Sequence, residues 1–139
     1  GGLNMAENYT LKIDAGADYF LAFRLKDEDG NYLNLSSCSA AMQLKNKHNS
    51  EAPLVSLTSE ALGGITFEKW DDITSEWIDT IAIHITDVQT ALLVDYEVLD
   101  ADGDVEHGEG VYDLEITDEE SMVTRTIQGY WIASPEVTK

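Results

Sequence analysis

The chain has one cysteine, two prolines and eight lysines and arginines among its 139 residues. A lone thiol, Cys38, rules out an internal disulfide framework. It sits on the apolar parity of its run, which predicts a buried, inert side chain and no nucleophile. The eight cations face 27 acidic residues, and the formal net charge is -19. That excess excludes ordinary nucleic-acid binding and disfavours acidic lipid surfaces. Its bland role is solubility and suppression of off-pathway association; the sharper one is steering toward a basic partner. No apolar run reaches the roughly 20 residues of a membrane-crossing helix. No signal-peptide pattern follows Met5, where Ala6-Glu7-Asn8 is polar.

The length is that of one domain able to bury a core without staples. Gly1-Gly2-Leu3-Asn4 reads as a cloning or cleavage scar, which leaves residues 5–139 as a single domain. The strongest pattern is at 112–117, where Tyr112, Leu114 and Ile116 alternate with Asp113, Glu115 and Thr117. Strict alternation predicts a half-buried strand. A polar turn at 118–121 and a second extended run, 122–133, make this a β-hairpin. Val123 and Ile127 share one parity, Tyr130 and Ile132 the other, so a β-bulge is expected near Gln128-Gly129. Pro135 ends the pairing because it has no N–H.

Upstream, alternation predicts strands at 9–13, 18–26, 38–44, 54–57, 65–68 and 77–85, a short return at 32–35, and another strand at 96–99. In the first of these, Tyr9, Leu11 and Ile13 face inward. Phe20 interrupts the polar face of the second and is expected to be half covered. Thr86 or Asp87 is a suitable N-cap, with Val88, Ala91 and Leu92 at helical spacing for one or two turns. About nine strands, with turn signals roughly every eight to twelve residues, predict an all-β sandwich or barrel with one short helical turn.

Few residues suggest chemistry. Asp100, Asp102 and Asp104 surround Gly103, but a calcium loop wants Gly sixth and Glu twelfth; here Gly is fourth and Val111 twelfth. The stretch therefore reads as an Asp-Gly turn, and Asp27-Glu28-Asp29 as another. His48, His84 and His107 lie at no zinc-ligand spacing from one another or from Cys38. There is no nucleophile-elbow motif and no Gly-rich phosphate cradle. The expectation is no catalytic residue, no metal site and no cofactor. Trp70, Trp77 and Trp131 stand out among the aromatics: an exposed Trp is a binding hot spot or a sugar platform, a half-covered one the cap of a core edge. Trp70, Trp77 and Tyr96 are the candidate partner-binding residues.

Three motifs run in sequence at the C-terminal end: Tyr112-Asp-Leu-Glu-Ile-Thr117, Val123-Thr-Arg-Thr-Ile-Gln-Gly129 and Ala133-Ser-Pro-Glu-Val-Thr138. This order resembles the C-terminal hairpin of small phage tail and baseplate β-sandwich proteins. The Asp29–Leu35 turn and return, the 40–45 strand, Gly64-Ile-Thr-Phe67, the Ile-rich strand at 81–85 and the Thr90–Leu93 turn extend the resemblance over most of the chain from Tyr9. Within that group, size and acidity are similar to the tail-tip collar proteins to which long tail fibres attach in long, flexible-tailed phages. Val94 to Gly110 is an insertion relative to that pattern, and no partner surface is carried over. The resemblance implies an immunoglobulin-like sandwich that forms a ring with its copies around the tail. Its neighbours would be tail tube or baseplate proteins and a tail fibre protein, with neither nucleic acid nor membrane as partner. The virion tail would be its place, after assembly in the host cytoplasm. A carbohydrate-binding module of a phage or bacterial surface protein, using Trp70 and Trp77, is the alternative; a hydrolase fits less well, because a chain this short scarcely supplies a cleft.

Overall fold

The computed structural model describes residues 9–47, 51–120 and 122–135. The expected scar at 1–4, His48, Ser121 of the closing turn and residues 136–138 of the tail motif lie outside them. Two sheets face each other. The larger has the order β1 (Leu11–Asp14), β8 (Val123–Ser134), β7 (Gly108–Thr117), β3 (Ser39–Asn46), β4 (Val55–Thr58). The smaller has the order β2 (Tyr19–Arg24), β6 (Thr80–Ile85), β5 (Ile65–Glu68). One helix, α1 (Asp87–Ala91), follows β6.

Among the described strands β1 pairs parallel with β8 and every other strand pair is antiparallel, while an isolated bridge from Thr58 to Gly64 is parallel. Lettered A′, B, C, C′, D, E, F, G in chain order, the sheets are A′-G-F-C-C′ and B-E-D. This is an immunoglobulin-type strand order with a C′ strand added to the G-F-C sheet. The inner faces follow from alternation. Met42 and Leu44, Leu57, Leu114 and Ile116, and Ile127 from the larger sheet are buried, as are Phe23, Ile65, Ile81, Ile83 and Ile85 from the smaller. The expected closing hairpin is the centre of the larger sheet, and β7 begins further upstream, at Gly108, than the alternation alone suggests.

The bulge lies elsewhere than the parity argument places it. Ile116 pairs with Arg125 and Thr117 with Val123, so the extra residue is Thr124. Pairing is regular through Gln128 and Gly129, and Trp131 and Ala133, not Tyr130 and Ile132, continue the inward face. Tyr130 is an apolar residue left outside, at 62% exposure. Gly129 answers a different demand. It pairs with Tyr112, and a Cβ there would lie 2.7 Å from both the Tyr112 hydroxyl and the Tyr9 carbonyl oxygen. The Tyr112 ring crosses over this glycine so that its hydroxyl donates to the Tyr9 carbonyl at 2.7 Å.

Five other expectations change. Residues 96–99 form no strand, only a single bridge from Leu99 to Val105. Val88 and Leu92 of the helical segment are exposed, and Thr90 and Leu93 are buried instead. A helix this short is held by its polar anchors: the Thr86–Gln89 capping box, and the Thr90 hydroxyl, which donates to the Ala17 carbonyl and accepts from the Gly16 N–H. Phe20 is 69% exposed, and Tyr9, though ahead of an inward Leu11, is exposed too. Cys38 is only half-buried; partial burial, with Asp118 and Glu119 nearby, raises its thiol pKa.

Candidate functional site

The two Asp-Gly turns and the closing turn share one construction. The Oδ1 of Asp27 accepts from the N–H groups of Asp29 and Asn31, that of Asp100 from Asp102 and Asp104, and that of Asp118 from Glu120 and Met122. The leading carboxylate of each turn holds its own backbone in place, which is the work of an Asx-type turn. Among the described residues, no three His, Cys, Asp or Glu side chains gather as metal ligands.

A denser cluster forms where β2 ends and β6 begins. Asp79 is buried at 5% exposure, one residue ahead of β6. Its Oδ1 accepts from the Trp70 N–H at 3.0 Å and the Thr80 hydroxyl at 3.0 Å. The Ser75 hydroxyl approaches Oδ2 at 3.5 Å, and Arg24 lies 3.6 Å from the same oxygen. Paired and hydrogen-bonded on both oxygens, Asp79 escapes the cost of an isolated buried carboxylate. The Arg24 guanidinium lies over two rings, 3.7 Å from the Tyr32 centroid and 4.6 Å from that of Trp70. This is the stacking a flat, weakly hydrated cation favours.

The loop between β5 and β6 is braced from within. Asp71 accepts from the Ile73 N–H at 2.8 Å and from the Thr74 hydroxyl at 2.8 Å. The Ile73 backbone bond first, and then the Thr74 hydroxyl, hold the Asp71 carboxyl below its ordinary pKa. Between this loop and the 27–31 turn is an open concavity of about 450 Å³, lined by Arg24, Asn31, Tyr32, Glu76, Trp77 and Asp79 among others. It gathers aromatic residues, a guanidinium, an amide and two carboxylates.

Trp70 and Trp77 both neighbour Arg24 and Asp79, and Tyr96 lies apart from them. Trp70, 55% exposed, covers Arg24; Trp77, 40% exposed, lines the concavity. Tyr96 follows α1, beyond the opposite end of β6, in a turn made by Asp95. Trp131 is core: it is 1% exposed and its indole N–H donates to the Lys45 carbonyl at 3.1 Å. His84 is outward, stacked on Phe20 with centroids 4.3 Å apart and 3.2 Å from Asp18. Sequence reasoning missed Arg24, Tyr32 and Asp79. The one available signal was a cation on the polar face of β2 beside an aromatic return, and the decisive register, Arg24 opposite Thr80, is not local. No protein-family model matches the chain, and no curated protein sequence matches it either.

Proposed function

We propose that this chain is a structural protein of a phage tail, one that forms a ring with its copies around the tail tip and anchors tail fibres. The observation that carries the reading is the C-terminal motif series: the stretch resembling phage tail β-sandwich proteins supplies β7 and β8, the central pair of the larger sheet. The motif residues belong to the framework of the domain and not to an appended loop. The role is assembly and not catalysis. The ring contact is heterologous, one patch meeting a different patch on the next copy. Open edges supply candidate patches: β1 and β4 bound the larger sheet, β2 and β5 the smaller. The 96–99 segment, expected as a strand, forms none and offers no such edge. Tail tube or baseplate proteins and a fibre protein would be the partners, within the virion tail. Mass spectrometry and electron cryomicroscopy of intact or reconstituted tails test the reading. A ring of this chain at the tail tip is the expected result, and absence from the tails would sink it.

A second reading has its own observation. Trp77, 40% exposed, lines a concavity with Arg24, Asn31 and Glu76, the residue types that pair a sugar face with its hydroxyls. A carbohydrate-binding module of a surface protein would show glycan-array binding lost on Trp77→Ala. Trp70, the other ring of the expected platform, is 55% exposed and has Arg24 over one face.

A further inference from the structure

Among the described residues, β2 pairs only with β6, and its other side carries no strand. In an antiparallel ladder, successive residues aim their N–H and C=O groups to alternate sides. His84 donates its N–H to the Gly64 carbonyl at 2.8 Å, on the β5 side. Its backbone groups therefore turn away from β2. Phe20, Ala22 and Arg24 lie opposite His84, Ala82 and Thr80. Their N–H and C=O groups consequently face the open side, and those of Leu21 and Phe23 bond β6. The 27–31 turn does not cover this edge. It folds back through Leu33 N–H to the Leu25 carbonyl and Asp27 N–H to the Asn31 carbonyl. Both bonds use odd-numbered residues of the β2 side, the parity that faces β6.

The usual guards of an edge are missing here. Tyr19-Phe20-Leu21-Ala22-Phe23 contains neither proline nor charge, and Phe20 is 69% exposed. Charges stand only at its ends: Asp18 before, Arg24 and Lys26 after. Two of the chain's eight cations are therefore at one end of this strand. We propose that β2 pairs antiparallel with β2 of a second copy across a two-fold axis, joining two three-stranded sheets into one of six strands. Antiparallel self-pairing reverses one copy, so acid meets base at both ends. Centred on Ala22, the register sets Phe20 against Arg24 of the second copy and Asp18 against Lys26. Centred on Leu21, it sets Asp18 against Arg24. Either register keeps the even-numbered backbone groups facing one another. Opposite charges directly across a strand pair are favourable, and like charges are not. The contact is isologous and closes as a dimer, so it stands apart from the heterologous ring contact and does not rest on the tail reading.

Amide hydrogen exchange and light scattering on the isolated protein, at low and high concentration, test it. The expected result is a dimer at high concentration, with protection of the Phe20, Ala22 and Arg24 amides that grows with concentration. Ala22→Pro removes an N–H that β6 does not use. It should abolish the dimer while circular dichroism and the unfolding midpoint stay close to those of the parent. Asp18→Lys sets like charges opposite one another and should weaken the dimer about tenfold. A monomer at every concentration, a dimer indifferent to a folded Ala22→Pro, or protection of those amides independent of concentration would each overturn the proposal. Should Ala22→Pro fail to fold, the exchange of the unmodified chain decides alone.

Discussion

Tyr112 and Gly129 are one device. The ring needs the space a side chain at 129 would occupy, and its hydroxyl reaches a backbone carbonyl outside the sheet pair. Gly129→Ala should destabilise the fold by about 1–3 kcal/mol, measured by urea unfolding, because the inserted methyl meets backbone as well as a side-chain tip. Burial first, and the neighbouring Tyr9 second, push the Tyr112 phenol up to about 12. Tyr19 is also raised to about 12, again chiefly by burial. A tyrosine whose folded pKa lies above its unfolded value of 10.0 holds its proton more tightly when folded. The stability this contributes is complete below pH 10.0 and is lost as pH rises toward about 12. Unfolding midpoints measured across that window should fall, and Tyr112→Phe should make the fall shallower. The same variant should cost about 1 kcal/mol near neutrality, for the lost hydrogen bond.

The elements differ in what holds them. β7 and β8 are secured by sheet pairing and core burial. The α1 helix and the 69–79 loop depend on single polar side chains that reach backbone groups. Thr90→Val keeps the shape of the side chain but leaves the Gly16 N–H and the Ala17 carbonyl without this partner. It should cost about 1–3 kcal/mol and raise amide exchange across the β1–β2 turn and the helix. Asp79→Ala removes the acceptor for Trp70 and Thr80 and the counter-charge of Arg24. A loss of about 1–3 kcal/mol is expected, with faster exchange over residues 70–79. Asp79→Asn retains an acceptor oxygen and should cost less. Equal losses for the two variants would show that charge, and not hydrogen bonding, holds the loop.

For the whole molecule the dominant quantity is the net charge of -19. Copies of the chain repel one another, and repulsion between exposed charges is screened beyond about 8 Å at physiological ionic strength. Self-association should therefore be weak in low salt and grow as salt rises. Light scattering coupled to size exclusion at two ionic strengths checks this, and assembly that weakens with salt contradicts it. The midpoint of unfolding should rise with salt as well, because a compact state carrying this charge repels itself.

The alternation at 112–117 and 81–85 was sufficient to read the class of fold, because a period of two puts one face in a core whatever sheet the strand joins. The Thr86 cap and the Asp-led turns were legible for the same reason: their hydrogen bonds span only two to four residues. Signals of that range fail where a residue answers to a distant partner. Gly129 looks like a bulge in sequence, and only the approach of Tyr112 and Tyr9 explains it. Tyr130 and Trp131 are both aromatic, and pairing with β7, not composition, sends one outward and the other into the core. Thr90 looks weaker than Val88 as an anchor until the β1–β2 turn arrives beside it. Of the candidate site, sequence named the two tryptophans of the 69–79 loop but not Arg24, Tyr32 and Asp79, which give one of them its task. Those contacts join residues as many as 55 positions apart. The local chain thus determined which segments extend and where they turn; only the packing of two sheets decided which side chains meet, because register across strands is a property of the assembled fold.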